Sequence, residues 1–433
     1  MYNRSVINRT LVTFGKLFSA AIQHSNLGNG STWPGHIALK GNKNFIREFL
    51  KDSKIKIIIV AGTNGKTTTS SLLATALAKN GYTVLQNKSG ANLLNGVAST
   101  LILNTNVSGK LTQDFAIFEV DENALPQVLN QVTPDYLVLL NLFRDQLDRY
   151  GEIHTIAKKW QSILSRLPDT TKLILNADDP QIAYLGNDLQ TENLYFGLNQ
   201  LSDAKHATPQ AADSTFCPRC SAALLFKETV FSHLGKWECK HCGLERPKVD
   251  LNSFEYYPLS GTYNKYNTHA TALVLREIGL QNKEIIASLQ NFAPAFGRQE
   301  TIQYQNKNVQ LFLSKNPTSF NQSFATIKEL KASTLLIVLN DRIPDGRDVS
   351  WIWDTDLSGI NEFKHIIVSG DRVYDMAIRI KYENYKNLQT FDNLEKAINT
   401  GVELTEKEET FFILPTYSAM LDVRKILTGK KIL

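Results

Sequence analysis

The sequence predicts an α/β chain of two or three domains, and three observations carry that expectation. A strand-length apolar run from Ile55 leads through a glycine-containing turn into a helical pattern. Two CxxC pairs interrupt the α/β pattern that follows, and after residue 300 a second series of strand-length runs begins. A length of 433 residues exceeds what one core usually fills. Hydrophobic residues at 42% and charged residues at 21% are ordinary for a soluble globular protein. The chain therefore divides into an N-terminal helical or extended segment, 1–50, belonging to a central domain of mostly parallel sheet, 51–300, and a smaller α/β domain, 301–433.

In the first segment Leu11, Phe14, Leu17, Phe18 and Ile22 recur at helical spacing, which reads as a core-packing helix rather than one lying on a membrane. No apolar run approaches the length that spans a bilayer, and the start is too polar for a signal peptide, so a cytoplasmic, non-transmembrane protein is expected. The net charge of +5 is spread along the chain, which argues against a nucleic-acid partner and suits an anionic substrate equally well.

From Ile55 the chain reads IKIIIVAGTNGKTTTSSLLATALAKNGYTVLQ, a strand–loop–helix unit followed by a second strand. The turn through Gly62, Thr63, Asn64, Gly65, Lys66, Thr67 and Thr68 is tighter than the general phosphate-loop spacing, but its chemistry is intact. Glycines let backbone N–H groups approach phosphate oxygens, the helix N-terminus adds its positive end, Lys66 reaches the β/γ-phosphates and the Thr67 hydroxyl is suited to Mg²⁺. ATP binding with Mg²⁺ is the expectation. Downstream, FAIFEVDENAL and PDYLVLLNLFRDQLDRYGE each end an apolar run in acidic or amide residues, where ligands of open α/β sheets gather. Glu119 abuts its run directly and is the expected carboxylate for Mg²⁺, with Asp121 and Glu122 read as surface charges.

The four cysteines form two knuckles, Cys217/Cys220 and Cys239/Cys242, with residues 221–238 between them. Four thiolates at this spacing suit one tetrahedral zinc ion, which predicts a structural zinc ribbon inserted at about 205–250 with a β-hairpin between the knuckles. Four sulfurs leave no open position for a catalytic water. No aromatic and basic stripe for stacking on bases accompanies the ribbon, so a scaffolding or partner-contact role is expected.

After FGRQE, the runs NVQLFL, STLLIVLN, HIIVSG and TFFILP predict a small doubly wound, Rossmann-like sheet. Trp351 and Trp353 in DGRDVSWIWD read either as interface anchors or as core aromatics.

Taken in order, GTNGKTTT, the strand end with Glu119, NLFRDQLDRYGE, NADDP, SGTYNKYNTHATA and FGRQE resemble the ATP-dependent Mur ligases and folylpolyglutamate synthetases. That resemblance implies an Mur ligase-like ATP-binding central domain in which Asn267 contacts adenine, Arg298 meets the nucleotide as the C-terminal domain closes, and Lys315 reaches the acyl-phosphate. It also puts His154 or Lys159 near a second metal, with Lys158 or Lys159 the carbamylated lysine of many such ligases; a solvated lysine pair is the other reading. The residue before Ser314-Lys315 is Leu313 where many relatives carry an acid that contacts ribose.

Two features narrow the resemblance. The stretch before the phosphate loop is too short for a UDP-binding domain, and the ribbon is an addition. With KNPTSFNQ and NDRIPDGRDVSWIWD, the chain is similar to the amidating branch, the synthetase subunits of lipid II isoglutaminyl synthases. What this implies is ATP-dependent phosphorylation of the α-carboxylate of D-glutamate in the lipid II stem peptide, at the inner face of the plasma membrane, followed by amidation in peptidoglycan synthesis. Ammonia would come from a GatD-type glutaminase subunit, whose Cys–His pair Asp348 would complete, with Asp345 and Asp354 as alternatives. The competing expectation is a free-standing ligase that joins an amino acid to a carboxylate.

Overall fold

A computed structural model describes residues 10–17, 32–51, 53–87, 90–106, 109–144, 153–199 and 213–430, together with Asn8 and Ser19. Apolar runs without alternation are what a parallel sheet covered on both faces requires, and four of them, with a shorter or more polar strand at each edge, build the first sheet. The strands are β1 (Lys56–Ala61), β2 (Val84–Gln86), β3 (Phe115–Val120), β4 (Tyr136–Leu139), β5 (Lys172–Asn176) and β6 (Glu192–Phe196), in the order β2-β3-β1-β4-β5-β6. All five pairings are parallel. One face, with Ile57 and Ile59, packs on the helices Leu94–Leu103 and Ile153–Leu164; the other, with Ile58 and Val60, packs on the helices Lys66–Lys79 and Thr262–Ile278. The register sets Val60 beside Glu119, so the glycine-containing turn and Glu119 leave the sheet at the same edge.

The expected N-terminal helix is present at residues 10–17, but its buried face is shifted. Val12 enters the core, whereas Phe14 is 53% and Leu17 66% exposed. Gly15 is the reason: its Cα lies so close to Ile102 and Pro34 that an added Cβ would sit 3.2 Å from each, so the contact face runs through Val12 and Gly15. Phe18 and Ile22 lie outside the described residues.

Between β6 and the helix Thr262–Ile278 sits the hairpin β7 (Leu225–Phe231) and β8 (Leu234–Glu238), antiparallel as the cysteine spacing requires. The second lobe is a mixed sheet of β9 (Arg298–Tyr304), β10 (Lys307–Phe312), β11 (Thr334–Val338), β12 (His365–Ser369), β13 (Leu388–Thr390) and β14 (Thr410–Pro415), ordered β13-β12-β11-β14-β10-β9. The four expected runs are β10, β11, β12 and β14. The two edge strands escaped notice because β9 is polar and antiparallel to β10, and β13 is three residues long. No helix of the described residues is long and apolar enough to cross a membrane.

One buried histidine makes the fold pH-sensitive. His269 shares a hydrogen bond of 3.0 Å with the Gly197 carbonyl through Nδ1 and one of 2.9 Å with the Tyr257 hydroxyl through Nε2. The carbonyl accepts only, so Nδ1 carries a proton. Burial holds the ring's pKa down at about 4. The unfolded chain protonates near the ordinary value of 6.5 while the native ring does not, so stability present above that pH is lost as pH falls from 6.5 towards 4. The loss should amount to about 3 kcal/mol. Urea midpoints measured between pH 7 and 4.5 should fall more steeply for the native sequence than for His269→Gln; parallel curves would refute this.

Candidate active site

The turn after β1 is held open by its neighbours. Gly65 has φ +91°, and a Cβ there would meet Asn267 Oδ1 at 2.3 Å, so only glycine fits. The chain after β4 clamps the turn from the side. Thr63 N–H donates to the Asn141 carbonyl at 3.0 Å, Asn64 N–H to Asn141 Oδ1 at 2.9 Å, and the Thr63 hydroxyl to the Phe143 carbonyl at 3.2 Å. The NLF part of NLFRDQLDRYGE is thus the brace of the phosphate loop; residues 145–152 lie outside those described.

Lys66 is buried and folded over its own loop, donating to the Gly62 carbonyl, to the Thr63 carbonyl at 3.0 Å and to Glu122 at 3.2 Å. Glu122, expected on the surface, is 2% exposed and is the counter-charge of Lys66. Glu119 is also buried, and with Asp121 it lines a cleft shared with Thr63, Asn64, Gly65, Lys66 and Thr67. Lys315 and Arg298 approach the same cleft from the second lobe. Thr67 and Glu119 therefore offer a hydroxyl and a carboxylate in one polar cleft, the oxygen donors a Mg²⁺–phosphate group takes.

Arg298 also lines a second, more apolar cleft. It runs from Asn64, Gly65 and Thr68 along Asn267, which accepts from the Thr69 hydroxyl at 3.4 Å and donates to Asn264 at 3.0 Å. The neighbouring Gln299, buried with φ +64°, is clamped to the first lobe: its side-chain nitrogen donates to the Ser260 carbonyl at 2.7 Å and to the Tyr263 hydroxyl at 2.9 Å. Glu300 in turn takes a two-pronged bond from Arg424 of the second lobe, 2.8 and 2.7 Å. Across the lobes, Asn316 donates to Asn64 at 3.3 Å.

His154 and Lys159 stand apart from this arrangement. Ile153, Ile156, Ala157 and Trp160 turn inward, at the i, i+3, i+4, i+7 spacing of one helical face, which leaves His154, Lys158 and Lys159 exposed. The two lysines line a shallow surface recess with Asn130 and Arg166, not the phosphate cleft. The helical phase, legible in the sequence, was the signal that could have placed them.

The four cysteine sulfurs lie within 4.8 Å of one another, with Cys217···Cys242 at 3.6 Å and Cys220···Cys239 at 3.5 Å. A tetrahedron of thiolates about 2.3 Å from zinc has edges of about 3.8 Å, so the donor set fits that ion. Each knuckle closes alike: Ser221 N–H donates to the Cys217 carbonyl at 2.9 Å and Gly243 N–H to that of Cys239 at 3.0 Å. The ribbon is seated on NADDP. Asp178 is fully buried and receives Arg246 Nε at 2.6 Å and the Tyr266 hydroxyl at 2.6 Å, burial raising its pKa and the cation opposing it. Asp179 caps the helix Pro180–Leu185 and accepts from Leu142 N–H at 2.8 Å, and Trp237 donates to the Ala177 carbonyl at 3.0 Å. These ribbon contacts were invisible in the sequence because their partners are some 60 to 70 residues apart.

In the second lobe the three aspartates differ sharply. Asp345 is 4% exposed and bound by the Ser418 amide at 2.8 Å and by its hydroxyl, so it has no free face. Asp348 is exposed; the Ser350 amide donating to it at 2.8 Å holds its carboxyl below the usual range, so it is charged at neutral pH. Asp354 is exposed as well. Trp351 packs on Phe320, centroids 6.0 Å apart, while Trp353 is 50% exposed and meets Tyr382 edge-on at 5.3 Å. Tyr374, Ile378 and Tyr382, spaced by four on and just beyond the helix Val373–Lys381, are all more than half exposed and form one stripe with Trp353.

A phosphate loop braced by the following strands, an acid at the next strand end, and an arginine and a lysine delivered by a second α/β lobe define the architecture of the ATP-dependent Mur ligases. The match extends to solved structures: a pseudomurein peptide ligase type C from Methanothermus fervidus aligns with a TM-score of 0.62 at 23% identity, covering 89% of this chain and 81% of that one. Residues 60–275 match the Mur ligase middle domain, and residues 313–420 match the MurT ligase C-terminal domain. The MurT subunit of lipid II isoglutaminyl synthase (glutamine-hydrolyzing) from Streptococcus pneumoniae is 31% identical over 94% of both chains. The MurT subunit from Staphylococcus aureus (strain COL) is 32% identical over 81% of this chain and 83% of its own. The chain belongs to the MurT family.

Proposed function

We propose that this chain is the synthetase subunit of a glutamine-dependent amidotransferase of peptidoglycan synthesis. It uses ATP to activate the α-carboxylate of D-glutamate in the lipid II stem peptide and amidates it to D-isoglutamine. The observation that carries this reading, beyond family membership, is the convergence of Lys66, Glu119, Arg298 and Lys315 on one cleft between the lobes. A carboxylate oxygen takes the γ-phosphoryl group, the bond to the bridging oxygen breaks and ADP leaves. Ammonia then attacks the acyl carbon, the carbon–oxygen bond to phosphate breaks, and inorganic phosphate and a proton depart. Lys66 and the loop amides hold the triphosphate, Arg298 and Lys315 neutralise charge on the transferring group, and Thr67 and Glu119 would hold Mg²⁺, which draws off charge from the phosphate oxygens.

Zinc bound by Cys217, Cys220, Cys239 and Cys242 supplies fold stability rather than chemistry. With all four cysteines in that cluster, none serves as a glutaminase nucleophile, which supports a separate GatD-type subunit as the ammonia source. The stripe of Trp353, Tyr374, Ile378 and Tyr382, whose Trp353 lies on the turn that follows Asp348, is the surface suited to dock it, since exposed aromatics of this density are characteristic of interface anchors. Action at the inner face of the plasma membrane follows from the lipid-linked substrate. The test is ATP turnover on lipid II by the purified complex with ammonia, glycine or glutamate as acceptor. Ammonia should give amidated lipid II with matching ADP; product from an amino acid but not from ammonia would establish the free-standing ligase instead.

A further inference from the structure

The zinc ribbon lies far in sequence from the phosphate loop, yet its hairpin turn reaches the apolar cleft. Phe231 and Leu234, the last residue of β7 and the first of β8, line it together with Phe143, Tyr266 and Asn267. Phe231 stacks on Phe143 with centroids 6.1 Å apart and meets Tyr266 edge-on at 5.9 Å. The turn is fixed from beneath. His233 is fully buried, its ring 4.8 Å from Phe143 and its Nε2 3.4 Å from the Asp179 carboxylate that also braces Leu142; Gly235 N–H donates to the Asp178 carbonyl at 3.1 Å. A hairpin clamped by four thiolates at one end and seated on the two aspartates at the other presents its aromatic tip without freedom to turn away.

We propose that the ribbon completes the base subsite of the nucleotide, with Phe231 and Leu234 forming the wall against which the purine ring packs. The ribbon is then a specificity element of the ATP site and not a scaffold alone. The inference rests on the reading that the cleft between the lobes holds ATP. An aromatic wall contributes through stacking, which is indifferent to the phosphates, so its removal should weaken the nucleotide while sparing a base-free triphosphate.

The experiment is calorimetric titration of the full chain, with its partner subunit, by Mg²⁺·ATP and by Mg²⁺·tripolyphosphate, zinc content being read by mass spectrometry. Phe231→Ala should weaken ATP roughly tenfold to a hundredfold, leave tripolyphosphate unchanged and keep its zinc, while Phe231→Tyr keeps native affinity. Phe231→Leu, apolar but without a π face, gives the same readout should the alanine variant fail to hold zinc. Unchanged ATP affinity in a zinc-loaded Phe231→Ala or Phe231→Leu protein overturns the inference, as does an equal loss of both ligands. Failure of the native complex to bind either ligand overturns the ATP reading itself.

Discussion

Replacing Lys66 with alanine should lower ammonia-dependent amidation of lipid II by roughly a thousandfold or more, the scale on which positioned cations act in phosphoryl transfer. The same change strands Glu122, which is 2% exposed and draws its counter-charge from Lys66 at 3.2 Å. An unpaired buried carboxylate costs about 3–5 kcal/mol, so Lys66→Ala alone confounds lost chemistry with lost fold. The double variant Lys66→Ala/Glu122→Gln removes the stranded charge. It should regain thermal stability while staying as inactive as the single variant; recovery of turnover along with stability would show that Lys66 matters to the fold and not to the triphosphate.

The second large effect divides the two activities of the complex. Asp348→Ala should abolish glutamine-dependent amidation, by a factor of roughly a thousand or more, and leave ammonia-dependent turnover intact. Asp348 is the carboxylate suited to a partner's imidazole: it is exposed, it is held ionised by the Ser350 amide, and it stands at the start of the Ser350–Asp354 turn that carries Trp353. Asp345 is spoken for by Ser418 and Asp354 is the remaining candidate, so Asp354→Ala is the control and should leave glutamine use unchanged. Loss of both activities in Asp348→Ala would assign that residue to the ligase cleft and refute the division.

What the sequence reveals here is what is contiguous in it. The phosphate loop is legible because strand, turn and helix follow one another, and the four-cysteine cluster because each knuckle is four residues long. Lys315, Arg298 and Asn267 are singled out through resemblance alone, and all three line the clefts between the lobes. Glu122 was not, since its burial depends on Lys66, 56 positions away. Asp178 in NADDP gave no hint of Arg246 and Tyr266, which reach it across the fold. The place of Phe231 beside Phe143 depends on how the ribbon sits on Asp178 and Asp179, which local spacing does not reach. His154 and Lys159, set near a second metal by the resemblance with a solvated lysine pair as the other reading, face solvent here, where the helical phase, also local, points them.

Gln299 belongs to the sheet of one lobe and is fastened by its side chain to the other, so it ties the edge strand β9 to the start of the helix Thr262–Ile278. Arg298 and Lys315 both stand at that tie, since Arg298 pairs with Phe312 at the end of β10 and Leu313 N–H donates to the Gly297 carbonyl at 2.7 Å, so the two cations are presented to the cleft as one unit.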